Sequence, residues 1–359
     1  MLPSKGYRTY RGRTSKGKIA LGVLLVLIIF AALTVLAMQR YIVYDEDGRP
    51  FLRLPEREPA EAPEELPPVE DEIDIDIDVI IQEPEEPSVK AFSLTATPLT
   101  GESWQAARAA AGTAYNTAVI TLKDIEGNVY FASETAVRGA VQVEDDTMEA
   151  LSAVTGEEGL YTVARISCLL DPRASRSDLN AMGLKNTGGY IFYDGNYTTW
   201  LNPGKEAARE YLCGLVREIA ELGFDEIMLT DTGYPTEGKI DKIDYESEGS
   251  PLAGNLCLLW EALRKTLEPY DVKLSIELPE TVITEGEEPV SALVLARAVS
   301  YADRVYTVTE MERAETLSSL TLEAEAVAEN RVQAFVAELA AAPPAEWEGD
   351  FLLLSAPEE

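Results

Sequence analysis

Acidic side chains at the ends of apolar runs are the groups in this chain best placed to do chemistry. Asp124, Asp171, Asp231, Glu277, Glu310 and Glu338 each close or follow a short strand-forming run. The chain has no histidine. Nucleophile activation of the Ser-His-Asp or Cys-His kind is therefore excluded within it, and the commonest ligand of catalytic zinc is missing. Proton transfer falls to carboxylates, Lys, Tyr or Cys. A ring of carboxylates under that restriction suits glycoside hydrolysis. One protonated acid meets the leaving oxygen, and a second carboxylate acts as base or nucleophile.

Such groups must be positioned by a rigid frame. The pattern predicts strands at Ala118–Lys123, Leu160–Cys168, Phe224–Asp231, Val272–Glu277, Arg304–Val308, Val332–Glu338 and Phe351–Ser355, with a further extended piece within Gly189–Leu201. Helical stripes lie between them at Lys205–Leu222, Leu252–Leu267, Val290–Tyr301 and Arg313–Glu329. In the first helix Asn202 is the expected cap, Pro203 suits the first turn and Gly223 the stop. Alternating strands and helices imply a parallel sheet. Eight strand candidates fit a (β/α)8 barrel, with a doubly wound open sheet as the alternative. In a barrel, functional residues gather at the C-terminal strand ends, where these carboxylates fall.

The segment before the globular pattern has its own character. Ile19–Met38 carries no ionisable residue, and Lys5, Arg8, Arg11, Arg13, Lys16 and Lys18 precede it. The run is long enough for a transmembrane helix, and basic flanks stay cytoplasmic. A cleaved export signal is the competing interpretation, although its apolar core would be shorter. The expected organisation is a basic cytoplasmic tail (1–18), a membrane helix (19–38), an acidic Pro/Glu-rich extracellular linker (39–91) and a barrel (92–359). Within the linker, Ile73–Val79 alternates Ile with Asp and could serve as a docking strand.

A formal net charge of −33 argues against nucleic acid as a partner. Cys168, Cys213 and Cys257 fit no zinc spacing and are expected as buried thiols, with one disulfide still open. No metal and no cofactor is expected. The stretch Gly189–Trp200 is dense in aromatic rings, which can stack on sugar faces or pack against the barrel wall.

Several segments together resemble a known family. GLYTVARISCLLDP (Gly159–Pro172), the run Trp200–Lys239 with its GFDEI junction, VITLKDIEGNVYF (Val119–Phe131) and GDFLLLSA (Gly349–Ala356) are similar to the bacterial putative glycoside hydrolase domain family. The resemblance implies a TIM barrel related to amylase-like glycosidases, with Val119–Phe131 as its first strand and the turn after it, Gly159–Pro172 as its second strand and Gly349–Ala356 as its last. Arg165 and Asp171 match the family, and Glu277 keeps a carboxylate on its strand. The fourth strand departs. Thr230 and Gly233 stand where the family tends to have a carboxylate and an arginine, and Thr121 replaces an Asp. Asp231 is one step away and needs a strand-end bend to face the pocket.

The expectation is a membrane-anchored extracellular protein acting on cell-wall or extracellular glycan. Glu277 is its candidate acid, Asp231 its second carboxylate, and Arg165, Asp171, Trp200 and Tyr234 its sugar-binding groups. The alternatives are a barrel that binds glycan without cleaving it, or an envelope protein-interaction module.

Overall fold

The computed structural model describes residues 42–44, 50–52, 88–94, 97–247, 251–328 and 334–354. The chain divides into two compact units, Met1–Ile81 and Gln82–Glu359. In the first, Ile42–Tyr44 pairs antiparallel with Pro50–Leu52, inside the segment expected as linker. The apolar run 19–38 and the Ile-Asp repeat 73–79 lie outside the described residues. Among the described residues, no helix is long and apolar enough to cross a membrane.

The second unit is a closed barrel of eight parallel strands. In chain order they are β1 (Lys90–Leu94), β2 (Thr117–Lys123), β3 (Tyr161–Ser167), β4 (Glu226–Thr230), β5 (Lys273–Glu277), β6 (Arg304–Val308), β7 (Ala334–Leu339) and β8 (Phe351–Leu353). Each strand pairs with its neighbours in sequence, and β8 closes onto β1 through Phe351 opposite Lys90. The helices are α1 (Gly101–Ala111), α2 (Thr147–Thr155), α3 (Pro172–Ser177), α4 (Glu206–Glu221), α5 (Leu252–Leu267), α6 (Glu280–Glu285), α7 (Leu295–Ala298) and α8 (Met311–Ala328).

The pleat sorts side chains into two apolar cores. Ala91, Val119, Val163, Met228, Tyr306, Val336 and Leu352 pack inside the barrel. Their neighbours Ala118, Ile120, Ala164, Ile227, Leu229, Leu274 and Ile276 face outward. There they meet the stripe Leu212, Leu215 and Ile219 of α4 and Leu256, Leu259 and Leu263 of α5. Fully burying each such Leu or Ile stabilises by roughly 1.5–3 kcal/mol. The N-terminal end of the barrel is closed by the buried Glu226. It accepts hydrogen bonds from Tyr161 Oη (2.9 Å) and Tyr306 Oη (2.8 Å) and pairs with Arg304.

Three expectations are corrected. The eighth strand is Lys90–Leu94, not a piece of Gly189–Leu201, so the barrel starts two residues before Phe92 and the family-like strands become β2 and β3. Gly189–Leu201 makes only isolated bridges, Lys185 to Ile191 among them. The helix expected over Val290–Tyr301 is confined to α7, because Glu287–Glu288 and Leu293–Val294 pair as a small hairpin. Asn202 does not cap α4, whose cap is Lys205. Its side chain instead holds the preceding turn, accepting from Gly204 N (3.0 Å) and donating to Tyr245 O (3.0 Å). Gly223 does follow α4, at φ +88°. The three thiols are free. Cys168 is buried, while Cys213 and Cys257 are half-buried.

Candidate active site

Continuing the inward-facing parity of the strands puts specific side chains at the C-terminal mouth. Two residues beyond Val163 is Arg165, two beyond Ser275 is Glu277, and two beyond Val336 is Glu338. Arg165 lies level with Met228 and Ser275, and Glu277 is opposite Tyr306. The three side chains meet. Arg165 Nη2 is 2.6 Å from Glu277 Oε2, and Nη1 is 3.4 Å from Glu338 Oε2.

The two glutamates differ in environment. Glu338 is fully buried, and neither of its carboxyl oxygens receives a hydrogen bond. Burial, then the neighbouring Glu277 charge, pushes its pKa up to about 8, against the attraction of Arg165. Its protonated form is favoured by that burial and by the neighbouring charge. Glu277 is 23% exposed and opens onto the cleft. Burial raises its pKa too, and nearby Asp231 adds to the rise, while Arg165 and the Glu338 carboxyl work the other way. One proton can thus serve two adjacent carboxyls.

Asp231 reaches the cleft by the bend that its sequence position required. Parity alone would turn it away from the barrel axis, because Thr230 is the inward residue of that pair. The backbone at Asp231 is left-handed, at φ +51°. Its Oδ2 accepts from Ser167 Oγ (2.7 Å) and Thr230 Oγ1 (3.0 Å), and its carbonyl accepts from Leu169 N (3.0 Å). Gly233 fits only without a side chain, since a Cβ there would lie 2.9 Å from Ser291 Cβ and 3.0 Å from Leu293. No arginine could occupy that position without moving this loop. The cation of the site comes from β3 instead.

The cleft above these groups has a volume of about 410 Å³. Asp231, Glu277, Trp200, Tyr234, Asp194 and Glu237 are among the residues lining it. Trp200 is half-buried, and its Nε1 donates to Asp194 Oδ2 (2.9 Å). Asp194 also accepts from Asn196 N, Thr198 N and Thr198 Oγ1. Burial alone would raise its pKa, but the bonds from Thr198 and Trp200 prevail and hold it below the usual carboxylate range. Tyr234 forms wall rather than floor. It is buried, accepts from Asn255 Nδ2 (3.1 Å) and packs edge-on to Tyr245 at 5.1 Å. Burial pushes its pKa up to about 12.

Asp171 is not brought to the cleft. It is fully buried and caps α3 through Arg173 N (3.1 Å) and Ala174 N (2.8 Å). Lys123 Nζ, itself buried, stands 3.1 Å from its Oδ2. Gly127 closes over it, where a Cβ would come within 2.3 Å of Oδ1. Its role is to hold the turn after β2 against α3. Asp124 is likewise spent on its own turn, bonding Glu126 N, Asn128 N and Tyr130 Oη. Glu338, Asp194 and Glu237 join the site without having been assigned to it from sequence. Glu338 alone carried a signal, its place at the end of a strand.

Among the described residues, no cluster of three or more His, Cys, Asp or Glu side chains is arranged to hold a metal ion. A larger cleft, about 890 Å³, lies near the N-terminal strand ends and is lined by Arg264, Lys265, Asp271, Lys273 and Asp303 among others. That end of a barrel is the one that serves stability.

The barrel and its carboxylate-lined mouth define a glycosidase-like domain. The family described as a putative glycosyl hydrolase domain matches residues 94–316, more than half of the chain, and the protein belongs to it. The match includes Arg165, Asp231 and Glu277 but stops before β7 and Glu338. Among solved structures, a hypothetical protein from Ruminiclostridium thermocellum ATCC 27405 is similar at 24% identity and TM-score 0.43, over 49% of this chain and 90% of that one. The glycoside hydrolase domain of PgaB (BpsB) from Bordetella bronchiseptica is similar at 15% identity and TM-score 0.48, over 70% and 83%. The glycoside hydrolase domain of a PelA variant from Pseudomonas aeruginosa is similar at 13% identity and TM-score 0.37, over 70% and 82%. No curated protein matches the sequence.

Proposed function

We propose that this protein is a glycoside hydrolase of the cell surface, acting on cell-wall or extracellular glycan. The observation that carries the reading is Arg165 held between Glu277 and Glu338, with Asp231 lining the same cleft. Glycosidic cleavage needs a carboxyl that is protonated at working pH and a second that is ionised. Glu277 is the general acid. Burial and the Asp231 charge raise its pKa against the pull of Arg165, and the buried Glu338 carboxyl beside it is the store from which it is reprotonated. Asp231 is the base or nucleophile, its carboxylate oriented by the Ser167 and Thr230 hydroxyls. Trp200, fixed by Asp194, offers its ring face to a sugar.

The run 19–38 anchors the chain in a membrane, with the basic segment 1–18 inside and the barrel outside. Support for this comes from the apolar stretch and its one-sided charge in the sequence. The acidic, proline-rich linker would carry the barrel away from the bilayer.

A second reading, binding without cleavage, is favoured by Thr230. It holds the inward place where the family tends to have a carboxylate. Turnover of glycans by the full chain and by Glu277→Gln separates the two. The hydrolase reading expects sugar release by the parent and none by a folded Glu277→Gln. Equal release by both would remove Glu277 from the chemistry.

A further inference from the structure

The connection between β3 and α4 carries a loop, Gly189–Trp200, that contributes no strand to the barrel. Among the described residues, the exposed aromatic rings all come from it. Tyr190, Tyr193 and Tyr197 are 74%, 47% and 83% exposed. Apolar groups displayed together and rimmed by polar residues mark interaction sites. The backbone at Tyr197 is left-handed, at φ +61°, a conformation a bulky residue adopts only when its surroundings hold it there. Asp194 provides that hold through Asn196 N and Thr198 N (both 2.9 Å), and Tyr197 N bonds back to Asp194 O (3.2 Å).

The loop forms one side of a cleft of about 560 Å³, whose lining includes Tyr193, Tyr197, Lys239 and Lys242. Asp194 lines both this cleft and the one holding Glu277 and Asp231, so the two adjoin. Glycines let the opposing loops meet. A Cβ on Gly238 would lie 2.8 Å from Gly195 N, and one on Gly195 would lie 3.0 Å from Glu237 Cβ. The lining holds two lysines against one acid in a chain that carries −33 overall, with Asp241 and Glu237 just outside it. Lys239 and Lys242 face the cleft, and Arg176 stands 5.7 Å over the Tyr193 ring. The one acid in its lining, Asp194, has both oxygens committed to internal hydrogen bonds. Lys242 pairs with Asp241 at 2.9 Å, but both are exposed, and such pairs yield readily to a better partner.

We propose that this cleft is a second saccharide subsite, taking acidic sugar units of a chain whose neighbouring units lie along Trp200. The tyrosine faces stack on pyranose rings, and the ammonium groups pair with sugar carboxylates. The placement along Trp200 rests on the glycoside hydrolase reading; the binding itself does not require turnover.

Calorimetric titration of the full chain with hexagalacturonate and with neutral maltohexaose tests the subsite. Hexagalacturonate should bind at least tenfold more tightly than maltohexaose, and added salt should narrow the gap. Tyr197→Ala and Lys239→Gln, both on exposed side chains, should each weaken hexagalacturonate binding severalfold. Lys265→Gln, an exposed cation of the cleft at the opposite end of the barrel, should leave it unchanged. Equal binding of the two hexamers, no binding of hexagalacturonate, or indifference to both loop substitutions would overturn the proposal. Tyr197-dependent binding without turnover of any glycan would keep the subsite and remove the hydrolase reading. Turnover indifferent to the loop would do the reverse.

Discussion

Arg165 Nη2 lies 2.6 Å from Glu277 Oε2, and the same guanidinium reaches a second carboxyl, Glu338, from its other nitrogen at 3.4 Å. One cation thus serves two acids, and only one of them opens to the cleft. The unequal burial splits their behaviour, which is how two carboxyls on one scaffold acquire different protonation states.

Glu338 should make stability fall as pH rises. Its folded pKa, about 8, lies above the unfolded value, so the folded state binds more protons in between. With more protons bound in the folded state, unfolding free energy decreases with pH across that window. Glu338→Gln keeps the shape and removes the titration. Thermal melts from about pH 5 to about pH 9 should show a flatter dependence in the variant, which gains most on the alkaline side. Identical slopes would contradict a buried, protonated Glu338.

Arg165→Gln should be more damaging than either glutamate substitution. It leaves Glu277 and Glu338 side by side without their cation. Removing one partner of a buried ion pair costs roughly 3 kcal/mol or more. Partial exposure of Arg165 places the expected loss at the lower end of that range. Denaturant melts measure it. A double change, Arg165→Gln with Glu338→Gln, should recover part of the loss, and strict additivity would argue against the shared site.

Asp231 combines a carboxylate with a left-handed backbone. Asparagine tolerates that conformation, and alanine pays a strain cost. Asp231→Asn should therefore abolish turnover with little change in melting temperature. Asp231→Ala should destabilise by about 1 kcal/mol more than Asp231→Asn. Retained turnover in Asp231→Asn would exclude it as base or nucleophile.

Asp194 sets the Trp200 ring. Asp194→Ala strands the Trp200 Nε1 and the Thr198 and Asn196 backbone donors, at about 1–3 kcal/mol for each donor left buried. Trp200 fluorescence should change, and KM should rise more than kcat falls. A fall in kcat at constant KM would place Asp194 in the chemistry instead.

Much of the barrel was legible because short apolar runs alternate with amphipathic helical stripes. Those runs coincide with β2 to β8 within a few residues. β1 was hidden because its five residues follow directly on the acidic, proline-rich stretch and carry too short a pattern to stand out. The aromatic loop at Gly189–Leu201 imitated a strand, since β-formers enriched for display look like β-formers enriched for pairing. At the site, Glu277 was legible from its strand end. Parity made plain that Asp231 needed a bend, yet only the backbone shows that bend. Asp171 illustrates the opposite failure. Its position beside a strand end suited a ligand contact, but three-dimensional neighbours, Lys123 and the start of α3, claim the whole carboxylate. Proximity of Arg165 to Glu338, 173 positions apart in the numbering, had no one-dimensional signature at all.

The most direct test is sugar release from purified cell walls of the source organism by the full chain, measured as new reducing ends, beside Glu277→Gln. The account predicts release by the parent protein and none by the variant, with both folded by circular dichroism. Equal release from the two, or none from the parent across a broad panel of acidic and neutral glycans, would contradict it.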